Sequence, residues 1–251
     1  MFRNNAFRWW NALFYAAVLG VNYLAMAIPM GGMTTGQLSD KYHTPITPAG
    51  YAFMIWALIY LLLAGYIVYQ LRRNTGSQDS VLAISYWFIL SCIFNMAWVF
   101  LWQYQYIALS FAAMIALLLS LAVIYAKTRY VYTPTSGETW LLRLPFSIYF
   151  GWICVATLVN LAVILLHEGL GISLNPKTAG IILLSAGTAA AIGITLRPRD
   201  GVLPLVFVWA YAAIAIEQKS IPGLSMTAAV LAFILLLYAL WIGLMRSRER
   251  D

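Results

Sequence analysis

Residues 47–60 read TPAGYAFMIWALIY, a stretch that turns a polar loop into an apolar segment loaded with rings. Pro48 suits the first turn of a helix, where its missing N–H costs nothing, and Thr47 stands where an N-cap belongs, so a helix is predicted to start here. Trp56 and Tyr60 are spaced to share one face of that helix, with Tyr51 near it a turn earlier. Two readings of these rings are open. One is ordinary packing or an aromatic belt at the membrane–water interface; the other is the wall of a ligand pocket.

The composition around this stretch settles the class of protein. With 63% hydrophobic residues, 9% charged residues and a mean hydropathy of +0.82, a chain of 251 residues is not a water-soluble domain. Apolar runs cover residues 10–30, 51–71, 81–102, 104–126, 144–166, 178–196, 202–216 and 224–245, most near the roughly 20 residues that a spanning helix needs. The expectation is an all-α, polytopic bundle of about eight transmembrane helices in a lipid bilayer. Residues 103–106 separate two of these runs with no charge to mark the break, and the run at 202–216 is short and contains Pro204. Arg3 and Arg8 precede the first run, but no small-residue cleavage signal follows it, so it reads as a span and not as a signal peptide. Cys92 and Cys154 both lie inside apolar runs, where a thiol acts as a small hydrophobe.

The net charge of +7 is scattered between apolar segments, the pattern of loops at a bilayer, and no nucleic-acid partner is expected. With eight spans, one side holds Arg3, Arg8, Arg72, Arg73, Lys127, Arg129, Arg143, Arg197, Arg199, Arg246, Arg248 and Arg250. The other holds Lys41, Lys177 and Lys219. So lopsided a division predicts an even number of spans with both termini cytoplasmic.

No charged residue or histidine falls well inside any run, which weakens the case for an ion- or proton-coupled transporter. The deep polar groups singled out are Asn22, Asn95 and Asn160, with Ser91 and Ser147 nearby. Each amide needs partners in a medium without water, either across helices or on a bound ligand. On the other side, residues 31–45 form a polar loop long enough to serve as a lid. His43, Asp40, His167 and Glu168 match no metal-ligand spacing, so no metal is expected. No nucleophile–base pair or phosphate loop is visible, and the expectation is a protein that is not an enzyme and requires no cofactor.

Three segments together carry a resemblance: Trp56-x-x-x-Tyr60, then Asn95-x-x-Trp98, then Trp152-x-x-x-Ala156-x-x-x-Asn160. In that order and spacing they resemble the tryptophan-rich sensory protein family (TspO/MBR), also called the peripheral benzodiazepine receptor or translocator protein family. The chain departs from the family pattern at Tyr51, where the first tryptophan would stand, and at Ser91, where the family has Gln. Pro145 also lies a turn farther from Trp152, and the sterol-associated Tyr and Arg after Asn160 are missing. The resemblance implies a TspO-like five-helix unit over residues 1–168, with residues 169–251 adding three helices and a basic tail. It also implies a small lipophilic ligand, a flat tetrapyrrole such as protoporphyrin or a haem-like molecule, in an aromatic-lined cavity. Carried over residue by residue, the wall comprises Tyr51, Trp56, Tyr60, Asn95, Trp98, Trp152, Ala156 and Asn160. The tryptophans would stack, the asparagines orient and Ala156 leave room. A sensor or regulator of tetrapyrrole or stress responses follows by the same resemblance, in a bacterial cytoplasmic membrane, with a homodimer as the assembly and light-dependent porphyrin degradation as a family trait. A transporter of a neutral lipophilic molecule and a membrane interaction protein without a ligand are the alternatives. In the last third, Ser185, Ala189 and Gly193 repeat a small residue at every fourth position, which predicts close helix packing, either on the five-helix unit or on another subunit, while Trp209 and Trp241 read as packing or interfacial anchors.

Overall fold

The computed structural model describes residues 5–28, 30–72, 74–130, 133–167 and 175–248, and all regular structure among them is helical. Arg3, Arg73, Glu168, Glu249, Arg250 and Asp251 lie outside the described residues, as do the side chains of Arg246 and Arg248. The helices are α1 (Arg8–Ala27), α2 (Thr35–Lys41), α3 (Ile55–Leu71), α4 (Asp79–Gln103), α5 (Ile107–Arg129), the single turn α6 (Ser136–Glu138), α7 (Leu144–His167), α8 (Pro176–Leu196), α9 (Val202–Glu217) and α10 (Pro222–Arg248). Seven helical segments among the described residues are long and apolar enough to cross a membrane. The remaining apolar helix, α9, has 16 residues and is about 24 Å long, short of the ~30 Å hydrocarbon core. The chain is an integral, multi-pass, all-α membrane protein.

The chain divides into two compact units, residues 1–38 with 55–150 and residues 39–54 with 151–251. In the first unit, α4 packs against α5 and α1, and α1 also meets α3. Its centre is a ring cluster of Tyr66, Phe88 and Phe146, with centroids 5.1–6.1 Å apart and tilted edge to face. The reversal between α4 and α5 needs only three residues. Tyr106 N–H bonds Leu101 O at 2.9 Å and Gln105 N–H bonds Trp102 O at 3.0 Å, while Gln105 takes φ +61°, the left-handed pattern that closes a helix C-terminus. Ahead of α7, Thr135 and Glu138 form a reciprocal capping box, and Glu138 also accepts from the Ser80 hydroxyl at 2.6 Å.

In the second unit, α9 packs against α8 and α10. Asn175 caps α8 by accepting from the amides of Lys177 and Thr178, with Pro176 in the first turn, and Asp200 accepts from the Val202 amide at the start of α9. Gly187 permits the closest approach, because a Cβ there would lie 2.5 Å from Tyr211 Oη and 2.6 Å from Leu158 Cδ1. Within the chain, the stripe Ser185, Ala189 and Gly193 packs on no neighbouring helix: it is exposed, and a Cβ at Gly193 would meet nothing within 4 Å, which leaves of the two expected partners only another subunit. The small residues that make helix contacts lie on the other face of α8, at Gly180, Gly187 and Ala191.

The start of α3 also differs from expectation. Thr47 does not cap a helix: its hydroxyl accepts from the Thr44 amide at 2.9 Å and faces the Thr44 hydroxyl at 3.1 Å, closing a turn of its own. Residues Gly50–Met54 then form a 3₁₀ turn, and the α-helix begins at Ile55. The Ala49 amide bonds Ala213 O of α9, a tertiary partner that a local capping pattern does not contain.

Candidate functional site

The aromatic and amide residues selected from sequence fall into two groups, one in each unit. In the first, Trp56 and Tyr60 stand on adjacent turns of α3, and their rings stack with centroids 5.4 Å apart and planes 22° from parallel. Tyr149, from α7, approaches Trp56 edge on at 5.8 Å. A chain of neutral groups runs beside them: Asn22 Nδ2 donates to Asn95 Oδ1 at 2.9 Å, and Asn95 Nδ2 donates to Tyr149 Oη at 3.1 Å. Asn22 Nδ2 also reaches Val18 O of its own helix at 3.0 Å. Tyr15 adds a further tie, its hydroxyl donating to the backbone oxygen of Tyr60 at 2.7 Å. These bonds join α1, α3, α4 and α7 through side chains of no net charge, an arrangement suited to a medium that penalises ions. Trp98, the fourth predicted residue of this group, is buried and stacks on Trp102 at 6.3 Å.

The second group gathers around the Gly50–Met54 turn. Tyr51 meets Trp209 of α9 edge on at 5.5 Å, and Trp209 Nε1 donates to Ala52 O at 3.1 Å. Trp152 is buried in α7, with Phe53 edge on at 6.0 Å. Asn160 Nδ2 donates to Ala156 O of the preceding turn at 2.9 Å, so these two predicted residues are joined directly. Tyr51 therefore pairs with α9, whereas its sequence spacing aligns it with Trp56 and Tyr60.

Three contributors are not singled out by the sequence pattern. Tyr149 and Tyr15 supply the hydroxyls of the first group, and Trp209, expected to be an anchor, holds the 3₁₀ turn with both its ring and its indole N–H. A signal for Tyr15 is present: Asn11, Tyr15 and Asn22 follow one stripe of α1, and Asn11 Nδ2 likewise crosses to a neighbour, donating to Gln70 Oε1 at 2.9 Å. No group of three or more metal-ligating side chains occurs among the described residues.

The polar loop at 31–45 is tied at both ends. Trp102 Nε1 and Gln103 Nε2 reach Thr35 O and Thr35 Oγ1 at 3.5 and 3.3 Å in the first unit. In the second, buried Gln218 donates to Thr44 O and Thr47 O at 3.2 and 3.3 Å, with His43 Nε2 at 3.1 Å from the same nitrogen.

No curated protein and no solved structure matches the chain. A protein-family model described as TSPO-like protein matches residues 8–241, a span that runs from α1 through α8 and α9 into α10. With the three motifs in order on α3, α4 and α7, and with the family match covering nearly the whole chain, this protein belongs to the TSPO-like protein family.

Proposed function

We propose that this protein binds a flat, lipophilic ligand of the tetrapyrrole class against aromatic side chains within the membrane, and that it acts as a sensor or regulator of tetrapyrrole or stress responses. The observation that carries the proposal is the stacked Trp56–Tyr60 pair with Tyr149 edge on, set beside the neutral Asn22–Asn95–Tyr149 chain. Large π-systems gain from such faces, and amides and hydroxyls fix a ligand's polar edge without a buried ion. Membership of the TSPO-like family supports the same reading. The ring pairs around Gly50–Met54 make Tyr51, Trp152 and Trp209 a second candidate set of ligand neighbours.

The test is a fluorescence titration of the purified full chain with protoporphyrin IX, comparing wild type with Trp56→Phe and Trp152→Phe. Each variant keeps a ring of smaller face, and the smaller stacking area against a flat ligand is expected to weaken binding about 3- to 10-fold. Trp241→Phe is the control, since Trp241 is 48% exposed and its ring meets that of Tyr238, outside both groups. Trp209 cannot serve in that role because it touches Tyr51. A weaker Trp56→Phe with an unchanged Trp152→Phe assigns the ligand to the first group, and the reverse assigns it to the second. Absence of saturable binding to wild type would remove the tetrapyrrole assignment and leave an interaction protein without a small ligand.

A further inference from the structure

Around the Trp56–Tyr60 stack, the deep polar side chains have partners within the protein, with one exception. Tyr15 Oη donates to Tyr60 O, Asn22 Nδ2 serves Val18 O and Asn95 Oδ1, and Asn95 Nδ2 serves Tyr149 Oη. Tyr60 Oη is buried and has no hydrogen-bond partner among the described residues. A hydroxyl in this condition carries the full cost of its lost hydration, and an orphaned donor is harder to tolerate than an unfilled acceptor lone pair. The ring that bears it is fixed by the stack on Trp56, so the hydroxyl is held in place.

We infer that Tyr60 Oη is the recognition donor of the site and that the ligand presents to it an uncharged acceptor, such as an ester or amide carbonyl oxygen. This inference rests on the ligand-binding reading above and specifies the chemical class it selects. The neutral character follows from the surroundings. Tyr15, Asn22, Asn95, Tyr149 and the Cys92 thiol are the polar groups gathered here, and none supplies a cation to offset a carboxylate taken out of water. An ionised ligand edge meets an uncompensated desolvation cost at Tyr60, whereas a carbonyl gains a hydrogen bond that the protein leaves unmade.

The experiment uses the full chain in nanodiscs with three porphyrin probes: protoporphyrin IX, its dimethyl ester and the alkyl-only etioporphyrin. Tyr60→Phe removes the hydroxyl and keeps the ring. Wild type is expected to bind the dimethyl ester more tightly than the free acid, and Tyr60→Phe to weaken the ester about tenfold while leaving etioporphyrin unchanged. Without ligand, Tyr60→Phe should melt no lower than wild type, because it deletes an unpaired buried polar group. Saturable binding in which the free acid wins, or in which Tyr60→Phe affects ester and etioporphyrin alike, overturns the inference and leaves the ligand-binding reading standing. A lower melting temperature for ligand-free Tyr60→Phe shows that the hydroxyl has a partner in the protein and also overturns it. If none of the three porphyrins binds wild type saturably, the ligand-binding reading fails and this inference fails with it.

Discussion

Gln105 shows how much one backbone angle can carry. At φ +61° it occupies the left-handed region, which an L-residue other than Gly adopts at a cost of about 1 kcal/mol or more, yet this geometry closes α4 and turns the chain directly into α5. Gln105→Gly is therefore expected to raise thermal stability, by about 0.5–1 kcal/mol, with no change in ligand binding. A lower melting temperature would show that the interactions of the Gln105 side chain outweigh its backbone strain. The sequence marks the break only by an uncharged interval between two apolar runs, because Gln is not the residue that normally announces a left-handed cap. Tyr60 and Thr47 make the complementary point. Spacing alone places the Tyr60 ring on Trp56, but only the packed helices leave its hydroxyl unpaired, and only the Thr44 partner diverts the Thr47 hydroxyl from capping.

At the scale of elements, α8 separates two stripes of small residues that look equivalent in sequence. Gly187 faces Tyr211 and Leu158 at distances no Cβ can share, whereas Gly193 faces open space. Gly187→Ala is expected to destabilise by about 1–2 kcal/mol, overpacking prevailing over the gain in helix propensity, and Gly193→Leu to leave the melting temperature of the single chain unchanged. The reverse order in a thermal melt would place the packing face on the Ser185–Ala189–Gly193 side. A change in oligomer size with Gly193→Leu would assign that exposed stripe to a second copy of the chain. Helix α9 raises a different question, since its 16 residues are short for a span while half of them are buried, among them Phe207 and Tyr211. If α9 crosses as the charge pattern predicts, Lys219→Cys should react with an impermeant thiol reagent in intact cells and Arg197→Cys should not. Equal labelling of the two positions would return α9 to one side of the membrane and make the number of spans odd.

Over the whole molecule, fold class and membrane residence follow from composition, because 63% hydrophobic and 9% charged residues leave no other medium for the chain. Run lengths then locate the helices to within a few residues, since hydropathy over a bilayer thickness is a local sum that needs no partner. Family membership is also legible, through three spaced motifs that one helix each can display, and the family match at residues 8–241 extends across α8 and α9 into α10. The division into compact units, which breaks between Leu38 and Ser39, between Met54 and Ile55 and between Phe150 and Gly151, has no such local mark; the last break lies inside the uninterrupted helix α7. The composition of the candidate site shows the same limit. Trp56 and Tyr60 come together because one helix spaces them four residues apart, a property of the sequence itself. Tyr149 meets Asn95, Trp209 meets Tyr51 and Gly187 admits Tyr211 because different helices pack at particular distances. An apolar helix presents similar residues on every face, so the amino-acid sequence determined that these helices exist and what medium they occupy, while the tertiary structure alone decided which face each turns inward and that the Tyr60 hydroxyl is left without a partner among the described residues.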